Sequence, residues 1–290
     1  MPPELEWFAN LPNAKTRRAY QLDVKDFTAF VGIARPEDFR SVTRAHLIAW
    51  RQDLESRQLA PSSIRRKLAA LSSLFDYLCE RNAVGHNPVD GVKRPRANHH
   101  EGLTPALGDA QARALLEAPP AHTLKGQRDR AILATLLYHG LRRDELVKLR
   151  VRDLQQREGV LHVRVEGKGD KIRFLPVAVK AARLIQAYLD AAGHGDDLPG
   201  PLFRPVKNNT TGTLNKPLHP ASVYQDVVRR YGQQVGINQA VHGFCVHSLR
   251  ATAATNALAH DADIAKVQEW LGHANIATTR LYDKRQHLSL

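Results

Sequence analysis

Cysteine is nearly absent from this chain of 290 residues, which contains only Cys79 and Cys245. A chain of this size buries enough apolar surface to fold without disulfides, so a disulfide-rich secreted scaffold is excluded. The 14 histidines are not accompanied by the CxxC or HExxH spacings typical of zinc sites, and we expect no metal. The adjacent His99 and His100 are expected to be exposed. Scarce cysteine indicates the reducing cytoplasm.

Long apolar runs are also missing. No stretch approaches the ~18 apolar residues of a membrane span. The N-terminal segment, MPPELEWFANLP, has acidic residues where a signal peptide needs basic ones. A Gly-rich phosphate loop of the Walker type is absent as well, so neither ATP nor another cofactor is indicated. We therefore expect a cytoplasmic protein that is neither secreted nor inserted into a membrane.

Positive charge is what the sequence has in excess. Lys and Arg number 42 against 29 Asp and Glu, which gives a net charge of +13 and a pI near 10.0. The excess occurs on both sides of residue 100, so it is not confined to a basic tail. This balance favours nucleic acid as the partner and predicts a protein that encloses DNA between two basic parts.

Apolar residues at helical spacing predict three amphipathic helices near the N-terminus. The first runs from Thr16 to about Val31, the second follows Thr43, and the third begins at Ser62 or Ser63 as N-cap. The third has the clearest apolar stripe, formed by Ile64, Leu68, Leu71, Phe75 and Leu78. The other side of its first turns is predicted to carry three cations that face a DNA groove or, equally, solvent: Arg65, Arg66 and Lys67.

The segment NPVDGVKRPRANHHEGLT, rich in proline, glycine and basic residues, has no sustained periodicity and predicts a linker. The predicted domains are residues 1–92, a linker at 93–104 and residues 105–290. In the second domain, residues 127–149 are expected to be helical with a break at Gly140. Alternating apolar residues around GKGDK predict a β-hairpin with Lys168 near its tip. Further helices are expected at 178–190, 220–234, 247–259 and 261–271.

Residues suited to phosphoryl transfer are concentrated in the second domain. The C-terminal segments HSLRATAATNAL and VQEWLGHANIATTRLYD contain four of them, which are His247, Arg250, His273 and Tyr282. Because His247 and Arg250 are three residues apart, a helix places them on one face. Upstream, YHGLRRDELVKL places Arg142 just after the predicted helix break. Each residue alone is compatible with a surface or packing role, and the set in this order favours chemistry.

These segments, together with EGKGDKIRFLPV, resemble in content and order the tyrosine recombinase family, which includes phage integrases and Xer recombinases. The resemblance implies a mainly α fold with a small β-sheet: an N-terminal helical core-binding (SAM-like) domain and a mixed α/β catalytic domain. It also implies the site residues. Arg142, Arg250 and His273 would contact the scissile phosphate, Lys168 the leaving oxygen, His247 would lie beside the nucleophile Tyr282, and Glu145 would brace Arg142.

Elementary chemistry agrees with these roles. A phosphodiester gains charge on its equatorial oxygens in the transition state, and two forked guanidinium groups stabilise that charge. A tyrosine hydroxyl with a reference pKa of about 10 needs nearby cations and a proton acceptor to attack at neutral pH. A lysine at a hairpin tip can protonate the departing 5′ oxygen.

The implied activity is site-specific recombination: cleavage that forms a 3′-phosphotyrosine, followed by religation, with four subunits on two DNA sites. The biological task could be integration, excision or resolution, and the chain could belong to a mobile element. A topoisomerase-like enzyme and a non-catalytic DNA-binding protein are the alternatives. An intact nucleophile argues against the second, because binding alone needs none.

Two features depart from the family pattern. Ala251 follows the second arginine, where relatives often have histidine, so any role of that position is absent or moved. The chain also ends at Leu290, soon after Tyr282, which leaves little length for the C-terminal helix that many relatives pass to a neighbouring subunit.

Overall fold

The computed structural model describes residues 3–96, 104–167, 171–207 and 214–283. The chain divides into two compact units, Met1–His99 and His100–Leu290. Both are mainly helical, and the second contains a three-stranded sheet, which confirms the expected mainly α fold with a small β-sheet. Most of the predicted linker, with His99 and His100, lies outside the described residues. Within them, no helix is long and apolar enough to cross a membrane.

The described part of the first unit contains four α-helices, α1 (Pro3–Asn10), α2 (Ala14–Val31), α3 (Arg44–Ser56) and α4 (Pro61–Glu80), and a 3-10 helix at Pro36–Ser41. Helices α2, α3 and α4 confirm the predicted amphipathic helices, whereas α1 was not predicted. Their apolar faces meet in one core, where Phe27 and Trp50 pack edge to face with ring centroids 5.1 Å apart.

Helix α4 begins earlier than its serines suggest. Its N-cap is Ala60, and Pro61 occupies the first helical position. Proline suits that position because its missing N–H has no intrahelical partner there and its φ is already helical. The prediction of an N-cap at Ser62 or Ser63 was therefore wrong.

The position of Lys67 on α4 also differs from the prediction. Position 67 lies three residues after Ile64 and four before Leu71, so it falls within the apolar stripe and is buried. Its ammonium lies 2.7 Å from Asp26 and 3.3 Å from Asp23. Lys67 is thus buried and paired within this unit and does not lie on the exposed side of α4 where it was predicted.

The second unit begins with α5 (Asp109–Glu117) and α6 (Leu124–His139), followed by the short helix α7 (Arg143–Lys148). The middle of α6 is buried on all sides, and α8 (Val179–Ala192) packs along it. Residues 220–234 are helical throughout and consist of α9 (Pro220–Ser222), a π-helical stretch (Val223–Arg229) and α10 (Arg230–Gln234). The short helix α11 (Ile237–Ala240) comes next.

The sheet has the order β1 (Leu154–Arg157), β2 (Val160–Glu166) and β3 (Ile172–Pro176), with antiparallel neighbours. Strands β2 and β3 confirm the predicted hairpin, and β1 was not predicted. The buried pair Val163 and Leu175 faces the core. Lys168 lies outside the described residues.

Three C-terminal helices complete the unit, α12 (Val246–Ala259), α13 (Ile264–Leu271) and α14 (Ile276–Arg280). The first two confirm the helices predicted there. Helix α12 packs against α6, and its buried small residues include Ala253, whose Cβ lies close to Gly140 at the end of α6. This close packing brings the residues of α12 to the end of α6, where the helix break at Gly140 occurs.

Candidate active site

Tyr282 follows α14 and points into the second unit. Its backbone N–H donates to the carbonyl of Thr279 at 3.0 Å, which continues the helical turn. The side chain is only 7% exposed and packs in a small cluster with Ala251 and Leu271. Its hydroxyl oxygen lies 3.1 Å from Nε2 of His247. Burial raises the pKa of the Tyr282 hydroxyl, while the charges of Arg250 and Arg142 act in the opposite direction.

His247 and Arg250 share a face of α12, as their spacing predicts. Partial burial of the His247 ring lowers its pKa, and the charges of Arg250 and Arg142 lower it further. The ring is therefore neutral near pH 7. A neutral imidazole with Nε2 towards a tyrosine hydroxyl can accept the hydroxyl proton.

Arg250 is 1% exposed and is held by backbone carbonyls. Nη1 donates to the carbonyl of Gly140 at 2.6 Å, and Nη2 donates to that of Leu271 at 2.5 Å. Burial, then the charge of Arg142, lowers the pKa of Arg250 to about 10, so the side chain remains cationic at neutral pH. Its Nε has no hydrogen-bond partner among the described residues. The guanidinium is thus a fixed charge whose donors are not all used by the described residues.

Gly140 makes this anchoring possible. It ends α6 with a φ of +59°, in the left-handed region that favours glycine. A Cβ at this position would lie 2.8 Å from Cδ2 of Leu271 and 3.7 Å from Cγ of Arg250. The left-handed backbone conformation therefore favours glycine at this position, and a Cβ there would also displace the end of the Leu271 side chain.

Arg142 is the N-cap of α7, directly after this break. Its Nη1 donates to Oε1 of Glu145 at 2.8 Å, and its backbone N–H donates to Oε2 of the same carboxylate at 2.8 Å. Its Nη2 donates to the carbonyl of Gly272 at 3.2 Å. The side chain is half-buried, beside an open groove that His247 and Tyr224 also line.

Glu145 is buried and accepts from a second arginine, Arg173 of β3, through both carboxylate oxygens at 3.2 and 2.8 Å. Burial opposes ionisation of this carboxyl, but the hydrogen bonds and charges of Arg173 and Arg142 outweigh it and lower its pKa. Glu145 is therefore an anion that holds two arginines.

His273 follows α13, and its Nδ1 lies 2.9 Å from Oγ1 of the buried Thr279. The ring stacks on that of Tyr282, with centroids 6.0 Å apart and an interplanar angle of 24°. Burial, and then the charges of Arg250 and Arg142, lowers the pKa of His273 to about 4. The ring is neutral, and its contact with Thr279 involves Nδ1 rather than Nε2.

The structure thus brings together five of the six predicted catalytic residues, namely Arg142, His247, Arg250, His273 and Tyr282, together with Glu145. The sixth, Lys168, is outside the described residues. Sequence reasoning missed Arg173 and Thr279. Each lies within a quoted motif, but neither has a spacing that marks it as polar and buried.

In the first unit, the other two predicted DNA-facing cations are exposed. Arg65 donates through Nη1 to the carbonyl of Pro95 at 3.2 Å. Arg66 pairs with the buried Asp23 and keeps 44% of its side-chain surface exposed. DNA contact by Arg65 and Arg66 remains a prediction.

Comparison with protein families gives two matches. Residues 106–287 match the phage integrase family, and residues 10–82 match the N-terminal SAM-like domain of phage integrases. Together these two matches cover most of both units.

Similar proteins include the tyrosine recombinase XerC of Pelobacter propionicus, which is 36% identical over 276 residues. That alignment covers 95% of this chain and 85% of the relative. The tyrosine recombinase XerD of Listeria monocytogenes is 29% identical, with 93% of this chain and 88% of the relative covered.

Solved structures show the same fold. The XerH site-specific recombinase, crystallised with a palindromic difH substrate, matches with a TM-score of 0.71 at 22% identity, covering 93% of this chain and 77% of that one. Lambda integrase residues 75–356, bound as a dimer to a core site, match with a TM-score of 0.69 at 14% identity, covering 97% and 92%.

Proposed function

The chain belongs to the phage integrase family, as a site-specific tyrosine recombinase that cuts and rejoins DNA, and we propose that Tyr282 is its nucleophile. This proposal rests on the 3.1 Å distance between the Tyr282 hydroxyl oxygen and Nε2 of His247. Arg250 lies on the same helix as His247. A nucleophile within hydrogen-bond reach of a neutral base is the arrangement that activates a hydroxyl.

In the proposed step, the Tyr282 oxygen attacks the scissile phosphorus while Nε2 of His247 takes the hydroxyl proton. The new bond is a 3′-phosphotyrosine, and the bond that breaks is the one from phosphorus to the 5′ oxygen. Religation is the reverse attack by a 5′ hydroxyl. The energy of the phosphodiester is kept in the covalent link, so strand exchange needs no nucleotide.

Arg142 and Arg250 stabilise the charge that develops on the equatorial oxygens. Both are held before DNA arrives, Arg250 by two backbone carbonyls and Arg142 by Glu145 and Gly272. Pre-oriented donors do not have to reorganise as the charge forms, which is the main source of their catalytic effect. His273 is neutral, and when its Nδ1 accepts from the Thr279 hydroxyl, its Nε2–H is left to donate to the phosphate.

Lys168 is proposed as the acid that protonates the departing 5′ oxygen. This role rests on the resemblance of EGKGDKIRFLPV to the family pattern and on the position of residue 168 between β2 and β3. Strand β3 also carries Arg173, which contacts Glu145 in the site.

Recombination exchanges strands between two sites, so we propose an assembly of four copies on two DNA segments. We also propose that the protein acts in the cytoplasm. The exposed Arg65 and Arg66 are proposed to contact DNA from the first unit. Basic residues on both units fit a partner whose backbone is charged along its whole length.

The assignment of Tyr282 is tested by mapping the attached residue. A nicked suicide site, whose short cut fragment diffuses away, traps the covalent complex, and mass spectrometry of the digested adduct locates the nucleotide. We expect it on Tyr282. Attachment at Tyr224 or Tyr231 would overturn the assignment of the residue while leaving the reaction class intact.

A further inference from the structure

Arg173 makes three hydrogen bonds that join three elements of the site. Two go to the Glu145 carboxylate on α7, at 3.2 and 2.8 Å, and the third runs from Nε to the carbonyl of Trp270 on α13, at 3.0 Å. The arginine side chain itself is 13% exposed. We propose that Arg173 is a positioning residue that holds Glu145, and through Glu145 holds Arg142, in the geometry that binds the scissile phosphate. This inference rests on the proposed role of Arg142.

The first argument is geometric. Each oxygen of Glu145 accepts one bond from Arg142 and one from Arg173. The planar fork of Arg173 fixes the plane of the carboxylate, because two parallel N–H···O bonds do not allow it to rotate. Without Arg173, the carboxylate keeps only its contacts to Arg142, and the two side chains can move together.

The second argument concerns charge. If a buried carboxylate is paired with a single arginine, the pair has no net charge. The arginine then attracts phosphate less strongly. In this site one negative charge is shared between two guanidinium groups, so the cluster of Arg142, Glu145 and Arg173 has a net charge of +1. Arg142 can therefore be braced by an anion while the cluster still attracts the phosphate.

The third argument concerns the end of α13. Arg173 binds the carbonyl of Trp270, and Arg142 binds that of Gly272, two residues further on. A Cβ at Gly272 would lie 3.3 Å from Nη1 of Arg173, so the two elements are in close contact. His273 comes next in the chain. Arg173 thus fixes the turn that leads from α13 to His273.

The competing explanation is that Arg173 only ties the sheet to the helices and stabilises the fold. The two explanations differ in how its loss combines with loss of Arg142. Residues that act as one unit show non-additive effects, whereas independent residues show multiplicative losses of rate.

The test is a double-mutant cycle measured by single-turnover cleavage of a nicked site at saturating protein. The variants are Arg173→Ala, Arg142→Ala and the double variant, with DNA affinity and thermal melting measured for each. Arg164→Ala is the matched control, since Arg164 lies on the neighbouring strand β2 and pairs with a different carboxylate, that of Asp153, at 3.4 Å.

We expect Arg173→Ala to slow cleavage about ten- to hundredfold, the cost of misplacing a catalytic group by about 1 Å. DNA affinity should change little, and Arg164→Ala should cleave at the wild-type rate. The double variant should cleave no more slowly than Arg142→Ala alone. Arg173→Lys, which keeps the charge and loses the fork, should recover part of the rate.

A double variant whose loss is the product of the two single losses would overturn the proposal, as would a wild-type rate in folded Arg173→Ala. If Arg173→Ala does not fold, the cycle is run with Arg173→Lys, and a wild-type rate in that variant contradicts the proposal. If Arg142→Ala itself cleaves normally, the proposed function of Arg142 fails, whatever Arg173 does.

Discussion

The hydroxyl oxygen of Tyr282 lies 3.1 Å from Nε2 of His247 within one chain. Arg250, on the same helix as His247, is anchored to the carbonyls that flank the site. The proposed nucleophile and the groups proposed to activate it therefore lie within one chain, and the described residues bring them together without a second copy.

This relationship predicts cleavage in cis. A mixture of Tyr282→Phe and Arg142→Ala chains should cleave no more DNA than the two variants do separately, because no single site then contains both groups. Cleavage of a suicide site by the mixture is the measurement. As a control, each variant is mixed with wild-type protein to show that the two kinds of chain assemble on the same DNA. Restored cleavage in the mixture of Tyr282→Phe and Arg142→Ala would indicate that a neighbouring subunit supplies Tyr282.

The lowered pKa of His247 predicts the pH profile of cleavage. Protonated His247 cannot accept the tyrosine proton, so the rate should fall as pH falls through this pKa, below its usual value of 6.5. His273, with a pKa of about 4, stays neutral across the measurable range. Single-turnover rates between about pH 5 and 8 at saturating DNA test this.

In that experiment, His247→Gln is the control and should lose the acid limb together with most of the rate. An acid limb centred above pH 6.5 would contradict the environment described for His247, in which burial and two arginines disfavour its charged form.

Thr279 is predicted to orient His273. Thr279→Val keeps the shape of the buried side chain but removes the oxygen that lies 2.9 Å from Nδ1, so the ring loses the contact that fixes its rotation. We expect cleavage to slow by about tenfold, in line with the loss of a hydrogen bond worth roughly 1–1.5 kcal/mol. Thr279→Ser, which keeps the hydroxyl, should recover most of the rate. Equal losses in the two variants would indicate a packing role alone.

Lys67 and Arg65 are predicted to have separate roles in the first unit. Lys67→Met leaves the buried Asp23 with one cation fewer and should lower the free energy of unfolding by about 1–3 kcal/mol. Arg65→Ala should leave thermal melting unchanged and weaken DNA binding, with a shallower salt dependence. Melting and binding of both variants at two salt concentrations check this, and a DNA-binding defect in stable Lys67→Met would contradict it.

The sequence was informative where chemistry and periodicity coincide. His247 and Arg250 are three residues apart in a helical segment, and this spacing alone predicts the shared face that the structure shows. The hairpin was predicted for a similar reason, since alternating apolar residues on both sides of a Gly-rich turn favour paired strands.

Arg173 could not be predicted in this way. Its neighbours Ile172 and Phe174 carry the apolar signal, yet they are 50% and 39% exposed, while Arg173 and Leu175 face inward. The inward position of an arginine depends on Glu145, which lies 28 residues earlier in the chain. Lys67 was misjudged for a related reason, because two aspartates of another helix, the buried Asp23 and the partly buried Asp26, allow a lysine to occupy an apolar stripe.

The most direct test of the central claim is formation of the covalent adduct itself. Wild-type protein and Tyr282→Phe are incubated with a nicked suicide site in the presence of a metal chelator, and protein–DNA adducts are resolved under denaturing conditions. Phenylalanine keeps the ring and removes only the attacking oxygen. We expect an adduct with wild type and none with Tyr282→Phe, at equal DNA binding. A comparable adduct with Tyr282→Phe, or none with wild type on a site that it binds, would contradict the account.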